Sequence, residues 1–93
     1  MLTAIVLIDT DAARIPEVAA TIAEIPGVTE VYSVTGEVDL IAMVRVREHD
    51  ELADVIADKV SKVEGVLRTQ TYIAFRTYSA HDLDKAFALG LED

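Results

Sequence analysis

The sequence contains no cysteine and no tryptophan, and only two prolines and four glycines among its 93 residues. Each scarcity excludes something. Without cysteine there are no disulfides and no thiolate metal sites, a usage compatible with a cytoplasmic address. Basic residues are also few: eight Lys and Arg stand against seventeen Asp and Glu, for a formal net charge of −9. Nucleic-acid binding draws most of its affinity from basic side chains neutralising phosphates, so direct contact with DNA or RNA is not expected. No apolar run approaches the roughly 18 residues of a membrane span. The longest, Leu2 to Ile8, is strand-sized and includes Thr3. No basic stretch precedes that run and no small-residue cleavage site follows it, so neither a signal peptide nor a membrane segment is expected. What remains, 52% apolar and 27% charged residues, is the balance of one folded domain over residues 1–93.

The most informative pattern is internal. Residues 2–34 and 40–72 repeat one another at an offset of 38 positions: Leu2 matches Leu40, Ala4 matches Ala42, Val6 matches Val44, and Ile22 matches Val60. Both copies close on the same dipeptide, Gly27-Val28 and Gly65-Val66. Each reads as strand, helix, glycine turn, strand, giving βαββαβ overall. Two such units close into a ferredoxin-like α+β fold, a four-stranded antiparallel sheet with both helices on one face.

The first strand is expected over Thr3–Ile8. A helix follows, opened near Asp9–Asp11 with Pro16 in its first turn and Ile15, Val18, Ala19, Ile22 and Ile25 as its buried stripe. Pro26-Gly27 stops it. The second strand is expected over Thr29–Val34 and the third over Asp39–Arg47. The second helix is expected to be capped by Asp50, with the stripe Leu52, Val55, Ile56, Val60 and Val63. A fourth strand over Val66–Thr77 and a short C-terminal helix over Ser79–Leu91 complete the reading.

Strand alternation carries a further expectation. Leu40, Ala42, Val44 and Val46 point one way, toward the helices, while Ile41 and Met43, with Ile5 and Leu7, point the other. A solvated face would be polar there, so a second copy across a two-fold axis is expected to cover it, as a dimeric α/β-barrel-like assembly.

Residues able to carry chemistry are sparse. His49 reads first as a solvated residue of a helix-starting turn. Ser79 and His81 are neighbours in sequence, which does not make a nucleophile–base pair, and His81, Asp82 and Asp84 match no compact metal motif. No cofactor or metal is expected. The hairpin between the repeats differs. In Val34-Thr35-Gly36-Glu37-Val38-Asp39, Gly36 can adopt the positive φ of a tight turn and leave N–H groups open to an anion, while Asp39 can hold an ammonium. A donor nest beside an acceptor suits a zwitterion such as a free amino acid. The same residues also make a plain hairpin, glycine and aspartate being ordinary turn formers. Thr69 and Thr71 offer hydroxyls on one side of the fourth strand; Tyr32 and Tyr72 read as core or interface aromatics.

The hairpin and the repeat together resemble the effector-binding (RAM) domain of the Lrp/AsnC, or feast/famine, transcriptional regulators. The resemblance runs from about Leu2 to Arg76. It is carried by Ile25-Pro26-Gly27-Val28, by Val31-Tyr32-Ser33-Val34-Thr35-Gly36-Glu37-Val38-Asp39-Leu40, and by Val63-Glu64-Gly65-Val66 leading to Arg68-Thr69-Gln70-Thr71-Tyr72. It implies an amino-acid pocket at Gly36 and Asp39 with the flanking hairpin residues Val34, Thr35 and Glu37, helped by Thr69 and Thr71. It also implies that the pocket lies where dimers meet in a ring, commonly an octamer of four dimers. Two departures stand out. Met1 is followed at once by the first strand, so the chain resembles a stand-alone version without a helix-turn-helix, and any regulation of DNA would run through a full-length regulator as partner. Val38 stands where the family often has an aromatic residue.

The expected function is thus a non-enzymatic amino-acid-binding and oligomerisation module linked to transcriptional regulation. The alternative is a small dimeric α+β-barrel enzyme, of cofactor-free monooxygenase or isomerase type, with His49 or Tyr72 as its candidate group. A purely structural interaction module is the third reading.

Overall fold

The computed structural model describes residues 1–80. The four strands are β1 (Leu2–Thr10), β2 (Val28–Ser33), β3 (Leu40–Val46) and β4 (Val66–Ala74). They form one antiparallel sheet in the order β2-β3-β1-β4, the arrangement of two interleaved βαβ units. Helix α1 (Ile15–Ala23) joins β1 to β2, and α2, beginning over His49–Ala53, joins β3 to β4. The expected C-terminal helix falls, from residue 81 on, outside the described residues.

Register follows from burial. Ala4, Val6 and Ile8 of β1 stand opposite Val44, Ala42 and Leu40 of β3, and all six are fully buried under the helices. Shifting the pairing by one residue would turn this whole set to the other face, so the apolar alternation alone specifies the register. Val18 and Ile22 of α1 and Leu52, Val55 and Val60 of the second helix close the core. Among the described residues, no helix is long and apolar enough to cross a membrane.

The repeat is realised closely. Gly27 and Gly65 end the two helical connections with φ of 99° and 100°, a left-handed conformation that costs a Cβ-bearing residue energy. Each is also pressed against the other repeat's helix: a Cβ on Gly65 would lie 2.6 Å from Val18 Cγ2, and one on Gly27 would lie 3.1 Å from Val55 Cγ2.

The two helices begin and proceed differently. Asp11 caps the first connection, its Oδ1 accepting the Ala13 N–H at 3.0 Å, and a single 3₁₀ turn (Ala12–Arg14) leads into α1 with Pro16 at its start. The second corrects the sequence reading. Its cap position is Glu48, which makes no side-chain capping bond, and Asp50 sits inside the first turn, where its charge meets the positive end of the helix dipole. The helix then widens into π geometry over Asp54–Lys59 and tightens to 3₁₀ over Val60–Lys62. Bonding from i to i+5 brings residues five apart to one side. Val55 and Val60 both reach the core by this means. Strand β4 ends at Ala74, three residues short of the expected Thr77.

The face remote from the helices carries Ile5 and Leu7 of β1 beside Ile41 and Met43 of β3, as alternation requires, all partly buried. Tyr32 pairs with Ile41, and Tyr72 with Ile5, so both tyrosines flank this apolar strip, 46% and 52% exposed.

Candidate functional site

The hairpin occupies residues 34–39, between β2 and β3. Its neck is closed by the Val34 N–H donating to the Asp39 carbonyl at 3.1 Å. Gly36 has a φ of 130°, and a Cβ there would meet nothing within 4 Å. Conformation rather than crowding therefore selects glycine here, and the loop tip projects from the chain into open space.

Asp39 is fixed twice to β1. Its N–H donates to the Ile8 carbonyl at 3.0 Å, continuing the β1–β3 ladder. Its Oδ2 accepts the Thr10 N–H at 2.9 Å, with the Thr10 hydroxyl at 3.5 Å. Thr10 is 5% exposed and is the one buried polar residue among those described. An unmatched N–H there would cost about 1–3 kcal/mol, and a carboxylate supplies the acceptor where the neighbouring backbone has turned away. The next residues tie down the same end of the sheet. Asp11 N–H donates to the Gly65 carbonyl at 2.8 Å, and exposed Arg68 pairs with Asp9 at 3.1 Å. The β1–β4 register slips by a bulge between Asp9 and Thr10. Such irregularities re-aim side chains at strand ends.

Thr69 and Thr71 stand opposite Ile8 and Val6 on β4, which puts them on the helix side of the sheet. The Thr69 hydroxyl lies 3.5 Å from that of Ser61. Thr71 lines a groove of about 290 Å³ between β4 and the second helix, with His49, Leu52, Ala53, Ile56, Ala57 and Ile73. The structure therefore brings Thr71 together with His49 and keeps both threonines apart from the hairpin. Asp39 and Thr69 lie on the two strands flanking β1, two inter-strand spacings or about 10 Å apart. No hairpin residue lines this groove. Nor does one line the larger cavity of about 370 Å³ at the opposite end of the sheet, beside Gly27, Val46 and Val55.

Tyr72 points to the face opposite His49 and accepts a hydrogen bond from Gln70 at 3.0 Å. The Tyr32 hydroxyl donates to Glu30 Oε2. That bond to a carboxylate, then partial loss of solvation and the Glu30 charge, raises the Tyr32 pKa above its ordinary 10.0. Among the described residues no group of acidic and histidine side chains forms a metal site. His81, Asp82 and Asp84 lie outside those residues. Sequence reasoning missed Thr10. The signal was available: Thr10 continues the inward-facing even series Ala4, Val6, Ile8, so its polarity needed a buried partner.

Residues 3–83 match the model of the Lrp/AsnC ligand-binding domain. This chain belongs to the Lrp/AsnC family. A helix-turn-helix transcriptional regulator of Pyrococcus horikoshii is 44% identical over 61 residues, 66% of this chain and 41% of that regulator. The chain thus spans less than half the length of the curated Lrp/AsnC-type relatives it matches. Among solved structures, TTHA0845 from Thermus thermophilus superposes with a TM-score of 0.80 at 48% identity, covering 85% of this chain and 99% of that one. A feast or famine regulatory protein from M. tuberculosis, complexed with L-methionine, gives a TM-score of 0.71 at 30% identity, over 86% of this chain and 54% of that one. As an Lrp/AsnC ligand-binding domain, the chain has the α+β fold that the repeat implies.

Proposed function

We propose that this Lrp/AsnC domain binds a free amino acid or a closely similar zwitterion, works without catalysis in the cytoplasm, and couples binding to its own assembly. The observation that carries the reading is the hairpin: a positive-φ glycine at an exposed tip, three residues before a carboxylate anchored to the central strand. The hairpin N–H groups around Gly36, those of Thr35, Gly36 and Glu37, take the α-carboxylate, Val34 flanks them with its own N–H committed to the hairpin neck, and Asp39 takes the α-ammonium. Charge-assisted bonds of this kind are the strong ones. Thr69 and Thr71 stand on β4 and share no groove with the hairpin of their own chain, so a neighbouring copy is the source assigned to them here. That assignment fits a dimer built on the apolar strip of Ile5, Leu7, Ile41 and Met43, with four dimers closing as an octamer. A full-length regulator of the family is the partner through which such a module would act on transcription. The L-methionine complex of the M. tuberculosis relative supports the ligand class. Isothermal calorimetry across the common amino acids tests the reading: at least one is expected to bind, and silence from all of them refutes it.

One observation favours a second reading. His49 and Thr71 share the groove beside the second helix, as a small α+β-barrel enzyme would need. The remaining lining is apolar, and Tyr72 lies across the sheet, which leaves His49 without an orienting third group. Turnover of any ligand found by calorimetry, abolished by His49→Ala, would establish this reading over the first.

A further inference from the structure

The two oxygens of Asp39 stand in different circumstances. Oδ2 accepts the Thr10 N–H and lies near the Thr10 hydroxyl, whereas no hydrogen bond among the described residues uses Oδ1. A carboxylate offers about four lone-pair sites, so one oxygen can be committed to the protein while the other stays available. The backbone of the same residue is pinned as well, its N–H donating to Ile8 two residues before Thr10. Asp39 thus straddles Ile8 and Thr10 on β1, a strand held on both edges by β3 and β4. Neither its backbone nor its side chain can swing without breaking a bond to the most constrained strand of the sheet.

We propose that the carboxylate of Asp39 has divided tasks: Oδ2 is the strand clamp, Oδ1 is the guest-binding oxygen, and Thr10 is the positioning residue that separates them. The inference rests on the amino-acid reading above and deepens it. Binding gains when a charged group is held in its bound geometry beforehand, because less ordering remains to be done on association. The buried Thr10 supplies that order from a residue that never touches the guest. It also explains why the chain places its one buried polar residue at the end of β1, among those described, beside the bulge and not in mid-strand.

Two conservative variants separate charge from position. Asp39→Asn keeps an acceptor oxygen for Thr10 and loses the negative charge. Asp39→Glu keeps the charge and carries it about 1.5 Å further along the side chain. The expected pattern is a double dissociation. In the Asn variant, hydrogen exchange at the Thr10 amide stays as slow as in wild type, while calorimetry shows amino-acid affinity reduced by roughly tenfold or more, as the loss of a charge-assisted bond implies. In the Glu variant the Thr10 amide exchanges faster, and affinity falls despite the retained charge. Thr10→Val, lacking the hydroxyl but keeping the N–H, weakens binding by about threefold, and Thr10→Ser restores it. A Glu variant that binds like wild type overturns the positioning role. An Asn variant that binds like wild type overturns the assignment of charge to the guest, and a Glu variant whose Thr10 amide exchanges as slowly as in wild type overturns the clamp. Wild type that takes up no amino acid refutes the effector reading and the role of Oδ1 together, and the exchange measurements on ligand-free protein still decide the clamp separately.

Discussion

Three glycines with positive φ differ in one respect, the neighbour a methyl group would meet, and this makes them a calibrated series. At Gly65 a Cβ would lie 2.6 Å from Val18 Cγ2, and Val18 is fully packed, with no space to retreat into. At Gly27 the nearest atoms are at 3.1 and 3.2 Å, on Val55 and Val46. At Gly36 there is nothing within 4 Å. Forcing an alanine into left-handed backbone costs about 1–2 kcal/mol in every case. Overpacking adds about 1–3 kcal/mol where the clash is real. Gly65→Ala should therefore cost about 2–5 kcal/mol, Gly36→Ala about 1–2, and Gly27→Ala an intermediate amount. For a domain of this size, with about 4–8 °C per kcal/mol, the melting temperature should fall by at least about 10 °C for Gly65→Ala, and by roughly half as much for Gly36→Ala. Thermal and urea unfolding followed by circular dichroism, at one protein concentration so that assembly does not confound the comparison, gives the ranking. A double-mutant cycle tests the cause. Val18→Ala removes the clashing methyls, so its cost in the Gly65→Ala background should be smaller than in wild type by about 1 kcal/mol or more. Equal losses at Gly65 and Gly36, or additive behaviour with Val18, would refute the claim that the second glycine turn is packed onto the first repeat's helix.

Because Tyr32 donates to Glu30, its phenol should titrate above 10.0 in ultraviolet difference spectra, and Glu30→Gln should bring it down. The sign is that of a raised pKa: whatever the bond contributes is present below the ordinary tyrosine range and is lost as pH rises through the higher folded value. Replacing Met43 or Leu7 by Asp on the apolar strip should leave circular dichroism unchanged and convert a sedimenting dimer to monomer, whereas a wild type that is already monomeric at micromolar concentration refutes the covered face. If the hairpin of one copy and Thr71 of another share a guest, mixing Asp39→Ala with Thr71→Val under exchanging conditions should restore some binding that neither variant has alone; no recovery would place the site within one chain.

Much of the fold was legible because the same apolar alternation that identifies a strand also fixes its register. Leu40, Ala42, Val44 and Val46 could face only the helices, and the 38-residue repeat placed the glycine turns to the residue. The second helix was less legible. A stripe read at 3.6-residue spacing treats Val55 and Ile56 alike, while the π turn over Asp54–Lys59 buries Val55 more deeply. Local sequence carries no distinct mark for that widening. Asp50 looked like a cap by residue type, yet the chain enters the helix earlier, at Glu48. The candidate site divided in the same way. Gly36 and Asp39 were readable from turn chemistry, but the bond from Thr10 to Asp39 spans 29 positions and depends on how the hairpin neck leaves the sheet.

The two halves of the proposed function meet on β1. Its even positions end in Thr10, which holds the hairpin carboxylate, and its odd positions Ile5 and Leu7 lie on the apolar strip proposed to join two copies. A guest at Asp39 and a second chain on the strip would therefore act on alternate residues of one strand, with no flexible element between them. Packed strands are stiff, so such coupling is limited to what the guest gains differently in the assembled and separated states. Typical coupling free energies of about 1–3 kcal/mol correspond to shifts of roughly 5- to 150-fold in an association constant. The same factor must appear in both directions, since linkage is reciprocal. Assembly should tighten amino-acid binding by as much as the amino acid tightens assembly, and titrating guest into protein at two concentrations, one well above and one well below the dimer dissociation constant, measures both. Identical affinities at the two concentrations would mean that the hairpin and the apolar strip are independent, and that the shared strand carries no signal between them.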